Sequence, residues 1–409
     1  MARRAVDFLL VGGGLAAANC ARWLREEGAD GSILLVGREP DPPYNRPPLS
    51  KGYLQGKEPR EEVLFRPDEW WREQDIELMT RTSVMKLDPG ERVVTLSTKE
   101  EIEFDRALVA TGANVRRLGI DGCELEGIHY LRVFANSQAI RADGERVERV
   151  VLVGGSYIAT EVAASLTAAH GVKCSLVMLE DVTLDRFYGR EVGGFFQRAL
   201  EEHGIDVYGG QEVERFEGVD GRVRKVVTKS GLELECDAVV VGAGVTPETT
   251  LAAQAGLEFG EAGGVKCSAG LETSAPGIFA AGDICEYDSP IHGRPMRIEH
   301  WDVAFNQGKT AALNMLGRGV EHDTVPYFFS DLADWTWMEY VGPGSGDVVV
   351  RGSIDDGDFT AFYVDDDRVT AALTVGRSDD LEHARRFITE RLQVDRAELA
   401  DEGTDLASL

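Results

Sequence analysis

Six cysteines (Cys20, Cys123, Cys174, Cys236, Cys267 and Cys285) are scattered along 409 residues, and none forms a CxxC or CxxxxC pair. A redox disulfide of that spacing and a zinc ribbon are therefore both excluded, and most of the cysteines read as small buried hydrophobes. The seven histidines also lack metal-ligand spacing, so no metal site is expected. Long apolar runs are missing, which leaves nothing able to span a bilayer as a helix. Basic residues are in short supply, 43 Lys and Arg against 71 Asp and Glu, for a net charge of −28. That balance disfavours nucleic acids and anionic membranes as partners. The opening Met1-Ala2-Arg3-Arg4 runs straight into the first apolar strand, so no secretory signal is expected and the cytoplasm is the expected location.

Glycine is plentiful, and two glycine turns carry most of the information. Gly12-Gly13-Gly14-Leu15-Ala16-Ala17 follows the apolar run Phe8-Leu9-Leu10-Val11, and Gly154-Gly155-Ser156-Tyr157-Ile158-Ala159 follows Val150-Val151-Leu152-Val153. Each turn must reverse the chain, admit a pyrophosphate to the backbone, and open a helix whose first amides face the anion. Gly12 serves the turn, Gly14 the close approach, and small Ala17 the packing of helix on strand. The next strand of the first unit, Ile33-Leu34-Leu35-Val36, delivers Glu39, 27 residues after Gly12, to the place of an adenosine ribose. In the second unit Leu176-Val177-Met178-Leu179 delivers Glu180, 26 residues after Gly154. A carboxylate there repels a ribose 2′-phosphate, and no Arg stands immediately beside it, which favours NADH over NADPH. Ser156 replaces the middle glycine, where its side chain either crowds the pyrophosphate or hydrogen-bonds to it, and binding is expected to be looser at the second site.

Two such units describe an α/β protein with two Rossmann-like dinucleotide-binding domains, one inserted in the other. The first unit closes near Phe104 to Ala113, and the second closes with Asp237 to Pro247, a matching segment that contains Gly242 and Gly244. The first then resumes at Ser274-Ala275-Pro276-Gly277-Ile278-Phe279-Ala280-Ala281-Gly282-Asp283. The boundaries are 1–116 with 245–326 for the outer domain, 117–244 for the inserted one, and 327–409 for a C-terminal α+β domain. Alternating residues at Val348 and Val350, at Phe359, Ala361 and Tyr363, and at Val369, Ala371 and Leu373 predict an antiparallel sheet there. A helix from about Asp379 to Leu392 follows, and the acidic tail after Asp395 reads as mobile.

In this order the motifs resemble the FAD-dependent pyridine nucleotide–disulfide oxidoreductase superfamily. Within it, Pro43-Tyr44-Asn45-Arg46-Pro47-Pro48-Leu49-Ser50-Lys51, Glu299-His300-Trp301-Asp302, Gln307-Gly308 and Ala311-Ala312 are similar to the NADH-dependent ferredoxin and rubredoxin reductases of bacterial oxygenases and to the apoptosis-inducing factor group. The resemblance implies that the outer domain holds FAD and the inserted one NADH. It gives Asp283 the flavin ribityl chain, sets Thr111 and Gly112 beside the cofactor, and adds Arg46, Glu299, His300 and Trp301 to the cofactor site. Lys51 is implied to lie near the flavin N5 and to face Glu161. Opposite charges there would favour each other's ionised forms, the alternative being a plain ion pair between domains. Trp301 is a candidate planar neighbour of the flavin or nicotinamide, or else core packing.

Ser50-Lys51 stands where disulfide-reducing members carry a cysteine pair, so electrons are expected to leave without a cysteine intermediate. Hydride transfer then needs positioning and no general base. The implied partner is an iron–sulfur carrier, a ferredoxin or rubredoxin, and the implied assembly a monomer or homodimer. An acidic carrier would need a local basic patch on this acidic chain; Arg60, Arg66, Arg72, Arg81, Lys309 and Arg318 are candidates. Tyr327 and Phe329 occupy an aromatic run in which many reductases have tryptophan. Two other readings stand beside the reductase: an NADH oxidase or diaphorase, and an NADH-responsive flavoprotein of slow turnover like apoptosis-inducing factor.

Overall fold

The computed structural model describes residues 4–409; the Met1-Ala2-Arg3 opening that bears on a leader lies outside them. In chain order the elements that position the site begin with β1 (Arg4–Val11), α1 (Leu15–Glu26), β2 (Ile33–Val36), β3 (Ile76–Met79), β4 (Val84–Asp88), β5 (Val93–Leu96) and β6 (Glu101–Val109). They continue with β7 (Ile128–Tyr130), β8 (Arg149–Val153), α2 (Tyr157–His170), β9 (Lys173–Val177), β10 (Asp206–Tyr208), β11 (Ala238–Val241), β12 (Ile278–Ala280) and α3 (Trp301–Met315). The C-terminal part adds β13 (Tyr327–Leu332), β14 (Thr336–Val341), β15 (Asp347–Ser353), β16 (Asp358–Asp365), β17 (Arg368–Val375) and α4 (Asp379–Glu390).

The chain divides into two compact units. One comprises residues 1–45, 61–114 and 246–326; the other comprises 46–60, 115–245 and 327–409. In the first, the sheet order is β3-β2-β1-β6-β5-β4, with β12 paired to β6. β1, β2, β3, β6 and β12 run parallel, while β4 and β5 form an antiparallel flap. Parallel strands covered on both faces need continuous apolar runs, and Ile33, Leu34, Leu35 and Val36 are all buried. Leu9, Leu10, Leu34 and Leu108 are fully buried, each stabilising by about 2 kcal/mol.

In the second unit the order is β10-β9-β8-β11-β7, again parallel. β1 and β8 hold the same position in their sheets, each between the next strand of its own unit and a strand that returns from farther along the chain. The strand order reverses beside each of them, which is where doubly wound sheets bind their ligands. The C-terminal sheet, β13-β14-β17-β16-β15, is antiparallel throughout. α4 ends at Glu390, earlier than the apolar spacing predicts, because Arg391 turns left-handed at φ 53°.

The tail departs from its sequence reading. Instead of a mobile segment, 393–409 contains a short helix, Arg396–Ala400, capped by the Asp395 side chain. Buried Arg351 donates to the carbonyls of Asp401 (2.5 Å) and Thr404 (2.9 Å), and Arg386 donates to that of Leu406 (3.0 Å). Acidic composition signals disorder only where nothing compensates it, and here two guanidinium groups bind the backbone itself.

Candidate functional site

The first turn is shaped by its backbone. Gly12 lies at φ +130°, and a Cβ there would sit 2.1 Å from the carbonyl oxygen of Ala110, a position backbone atoms cannot vacate. Its N–H donates to Val36 O (2.8 Å), while Ala110 N–H donates to Val11 O (2.8 Å), tying the turn to both neighbouring strands. Gly14 is the N-cap of α1; its side is open space, no side chain caps the helix, and no acid stands in its first turn. Four amides without intrahelical partners at the switch point of a parallel sheet fit the pyrophosphate of a dinucleotide. Ala17 is fully buried beneath them.

The other predicted residues of this unit gather at the same end of the sheet. Glu39 follows β2 and accepts a hydrogen bond from Tyr44 (2.6 Å). Thr111 and Gly112 follow β6, where the Thr111 hydroxyl donates to Glu248 O (2.6 Å) and Gly112 O accepts from Glu248 N–H (2.7 Å). Asp283 follows β12 in a single 3-10 turn, its carbonyl accepting from Arg297 (3.0 Å), and Arg297 also binds Glu299 (2.5 Å). His300 caps α3, and burial holds its imidazole down to about 4 against the opposing field of Asp283, so the ring is neutral at pH 7. Trp301 donates to Asn45 (3.1 Å) and stacks on Phe305 at 5.4 Å between centroids and 9° between planes. The sequence reading quoted Gln307 but gave it no role. Fully buried, it accepts from the N–H of Gly282, the residue before Asp283 (2.7 Å), and its Nε2 has no hydrogen-bond partner among the described residues.

The second turn repeats the first. Gly154 lies at φ +122°, and a Cβ there would fall 2.5 Å from Gly242 O. Gly154 N–H donates to Val177 O and Gly242 N–H to Val153 O, both at 2.8 Å. Ser156 is the N-cap of α2, extended, without a side-chain cap bond and without an acid in the first turn. The residues present thus fit a second pyrophosphate. Tyr157 and Ile158 open the helix; the Tyr157 hydroxyl meets that of Tyr188 (2.6 Å), and its ring packs on Phe328 (4.5 Å). Burial pushes both phenol groups well up, so they stay neutral. Glu180 lies just beyond β9, between exposed Leu179 and Asp181, which binds Arg190 (3.1 Å). The sequence showed no adjacent arginine, yet the fold brings one to the next residue, where Asp181 neutralises it. Gly244, at φ +86°, accepts from Arg116 N–H (2.9 Å).

Residues 46–60 belong to this same unit. Arg46 donates to Arg132 O (2.5 Å). Lys51, only 8% exposed, places its Nζ 2.6 Å from Glu161 Oε1, so the fold brings these two predicted residues together. Glu161 also accepts from Ser330 (2.5 Å) and Ser50 (2.6 Å). Sequence reasoning missed both serines, and it missed Asp331, whose carboxylate lies 3.5 Å and whose carbonyl lies 3.4 Å from Lys51 Nζ. Their only sequence signal was adjacency: Ser50 precedes Lys51, and Ser330 precedes Asp331. A buried ion pair carrying this many additional donors is held in one geometry.

All six cysteines are free thiols, five of them buried. Among the described residues no group of three or more His, Cys, Asp or Glu could hold a metal ion, and no helix is long and apolar enough to cross a membrane. Of the candidate docking cations, Arg72 pairs with Glu69 (3.2 Å) and Arg318 with Glu27 (3.8 Å). Arg60, Arg66 and Lys309 lie over the rings of Phe134, Phe65 and Trp23 at 4.6, 4.9 and 4.2 Å, and Arg81 donates its backbone N–H to Glu39 O.

Comparison with known proteins adds a lineage to this geometry. Residues 6–308 match the pyridine nucleotide-disulphide oxidoreductase family, and 327–409 match a reductase C-terminal domain. The chain is 34% identical to a probable ferredoxin reductase, CtmF, of Castellaniella defragrans, over 98% of each chain. Its fold superposes on the ferredoxin reductase for the CYP199A2 system of Rhodopseudomonas palustris with a TM-score of 0.93 and 31% identity, covering 98% of this chain and 99% of that one. A covalent putidaredoxin reductase–putidaredoxin complex matches with a TM-score of 0.93 and 32% identity, over 98% and 97%. With two glycine turns at equivalent switch points and these matches along its length, the chain belongs to the pyridine nucleotide-disulphide oxidoreductase family.

Proposed function

We propose that this protein is a flavin-dependent, NADH-oxidising reductase that delivers electrons singly to an iron–sulfur carrier of the ferredoxin or rubredoxin type, in the cytoplasm and in the service of an oxygenase system. The observation that carries the reading is the pair of equivalent pyrophosphate cradles, at Gly12 and at Gly154, in a chain whose cysteines all remain free thiols. Relatives named as ferredoxin reductases, and a solved reductase–carrier complex, support the carrier as partner.

In this reading Gly12, Gly14 and the first amides of α1 bind the FAD pyrophosphate, and Glu39 its adenosine ribose. Asp283 takes the ribityl chain, while Thr111, Gly112, Glu299, His300 and Trp301 complete the surroundings. Gly154, Ser156, Tyr157, Ile158, Gly242 and Gly244 receive NADH, and Glu180 turns away a 2′-phosphate. FAD, when bound there, would supply the redox chemistry that joins a two-electron hydride donor to a one-electron acceptor. Lys51 contributes a fixed ammonium donor. Glu161 and its serines keep that ammonium aimed, so the protein supplies positioning and electrostatics in advance. With no cysteine pair to hold them, the electrons pass on without a disulfide stage.

The test is cytochrome reduction by NADH. Rapid reduction only when a ferredoxin is added supports the reading; a rate indifferent to every carrier tried, or fast oxygen consumption without one, refutes it.

A further inference from the structure

Two carboxylates flank Lys51, and the fold treats them differently. Glu161 accepts from Lys51, Ser50 and Ser330, so three donors satisfy its charge within 2.6 Å. Asp331 sits on β13, an edge strand, meets Lys51 at 3.5 Å as the one side-chain partner of its carboxylate among the described residues, and keeps 29% of its side chain exposed. Protonating Asp331 costs only that long contact. Burial first, and then the charge of Glu161, push the Asp331 carboxyl up, with Lys51 opposing them. A part-exposed carboxyl raised in this way, beside one that three donors hold in place, suits the role of proton carrier.

NADH gives up two electrons and one hydrogen nucleus, while an iron–sulfur carrier takes one electron and no proton. Each turnover therefore leaves one proton to be released. Resting on the reductase reading, we propose that Asp331 is the residue that carries this proton out, receiving it from Lys51 and handing it to water. The balance is simple. An N–H bond of Lys51 breaks as an O–H bond forms on Asp331; the hydrogen that arrived as hydride, a proton once its two electrons have left for two carriers, restores the ammonium; and Asp331 returns to carboxylate by releasing its proton to solvent. No electrons move in these steps. The 3.5 Å gap needs a modest swing of the part-exposed Asp331 side chain, and relay contacts commonly tighten once reactants bind.

The charged groups facing Asp331 are Lys51 and, from α2, Glu161. Its register partner on β14 is uncharged Trp337, and Glu339, two residues along, is engaged by Tyr327 (2.7 Å) and Ser378 (2.6 Å).

The experiment compares D331N and D331E with the wild type as full-length, flavin-loaded protein, following proton release with a pH indicator in stopped flow. D331N is expected to slow proton release and carrier-coupled turnover by about 10²-fold. Flavin reduction by NADH in a single turnover should fall far less. Added acetate should restore part of the D331N rate, and D331E should retain most of the wild-type rate. A readout independent of turnover is carboxyl-carbon NMR: one aspartate titrating above the usual range in the wild type and missing from D331N. Wild-type proton release in D331N overturns the relay, as does a slow D331N that acetate never rescues. If the wild type itself reduces no carrier, the reductase reading fails and the relay falls with it.

Discussion

Gly12 and Gly154 receive the same treatment from their sheets, each donating its N–H at 2.8 Å to the end of the neighbouring strand. Each would drive a Cβ into a backbone carbonyl. Two residues later the turns part company, with open Gly14 in one unit and Ser156 in the other. Around the first turn the acid is engaged by Tyr44, and Asp283 and Gln307 gather at the adjacent strand end. Around the second, the rim carries Leu179 at 67% exposure and Phe187 at 47%. The difference teaches how one backbone plan can be dressed in two ways: in the proposed reading, the engaged acid and buried Gln307 serve a cofactor that stays, and the exposed apolar rim a substrate that comes and goes.

The most forceful way to break the comparison is to put a methyl group into each turn. Gly12→Ala should give protein that purifies without flavin colour. Gly154→Ala should keep its flavin but lose about 10²-fold in kcat/KM for NADH, read from flavin absorbance and steady-state rates. Equal loss of flavin in both variants would erase the distinction. Next is Lys51→Met, which strands Glu161 as a buried charge with only its serines. We expect a loss of about 3 kcal/mol in urea unfolding. Flavin reduction should slow far more than flavin retention weakens, and an unchanged single-turnover rate would reject the role of Lys51. A smaller effect is expected for Glu180→Gln, which should raise NADPH use about tenfold relative to NADH by removing one repulsive charge. A wild-type preference for NADPH would refute the assignment of Glu180. Smallest is Ser156→Gly, which restores the first turn's pattern and should change the NADH dissociation constant only a few-fold; a large weakening would mean that the Ser156 hydroxyl binds the nucleotide directly.

Local rules made the sheet centres legible. Glycine turn, helix, next strand and acid follow one another within thirty residues, and backbone sterics dictate the glycines at Gly12 and Gly154. Lys51 with Glu161 was legible only through resemblance, since 110 residues separate them. Asp331 was not legible, because its contact with Lys51 depends on where edge strand β13 passes α2, and neighbouring residues do not encode that. The docked tail escaped for another reason. Arg351 and Arg386 bind backbone carbonyls, which every residue possesses and no side-chain pattern announces.

The central claim, two nucleotides serving one carrier, is tested most directly by mixing flavin-loaded protein with NADH in stopped flow and then adding oxidised ferredoxin. The account predicts prompt bleaching of the flavin, followed by recovery of its colour with a pair of carriers reduced for each NADH consumed. A protein that cannot be loaded with flavin, or one whose bleached flavin leaves every carrier oxidised, would contradict it.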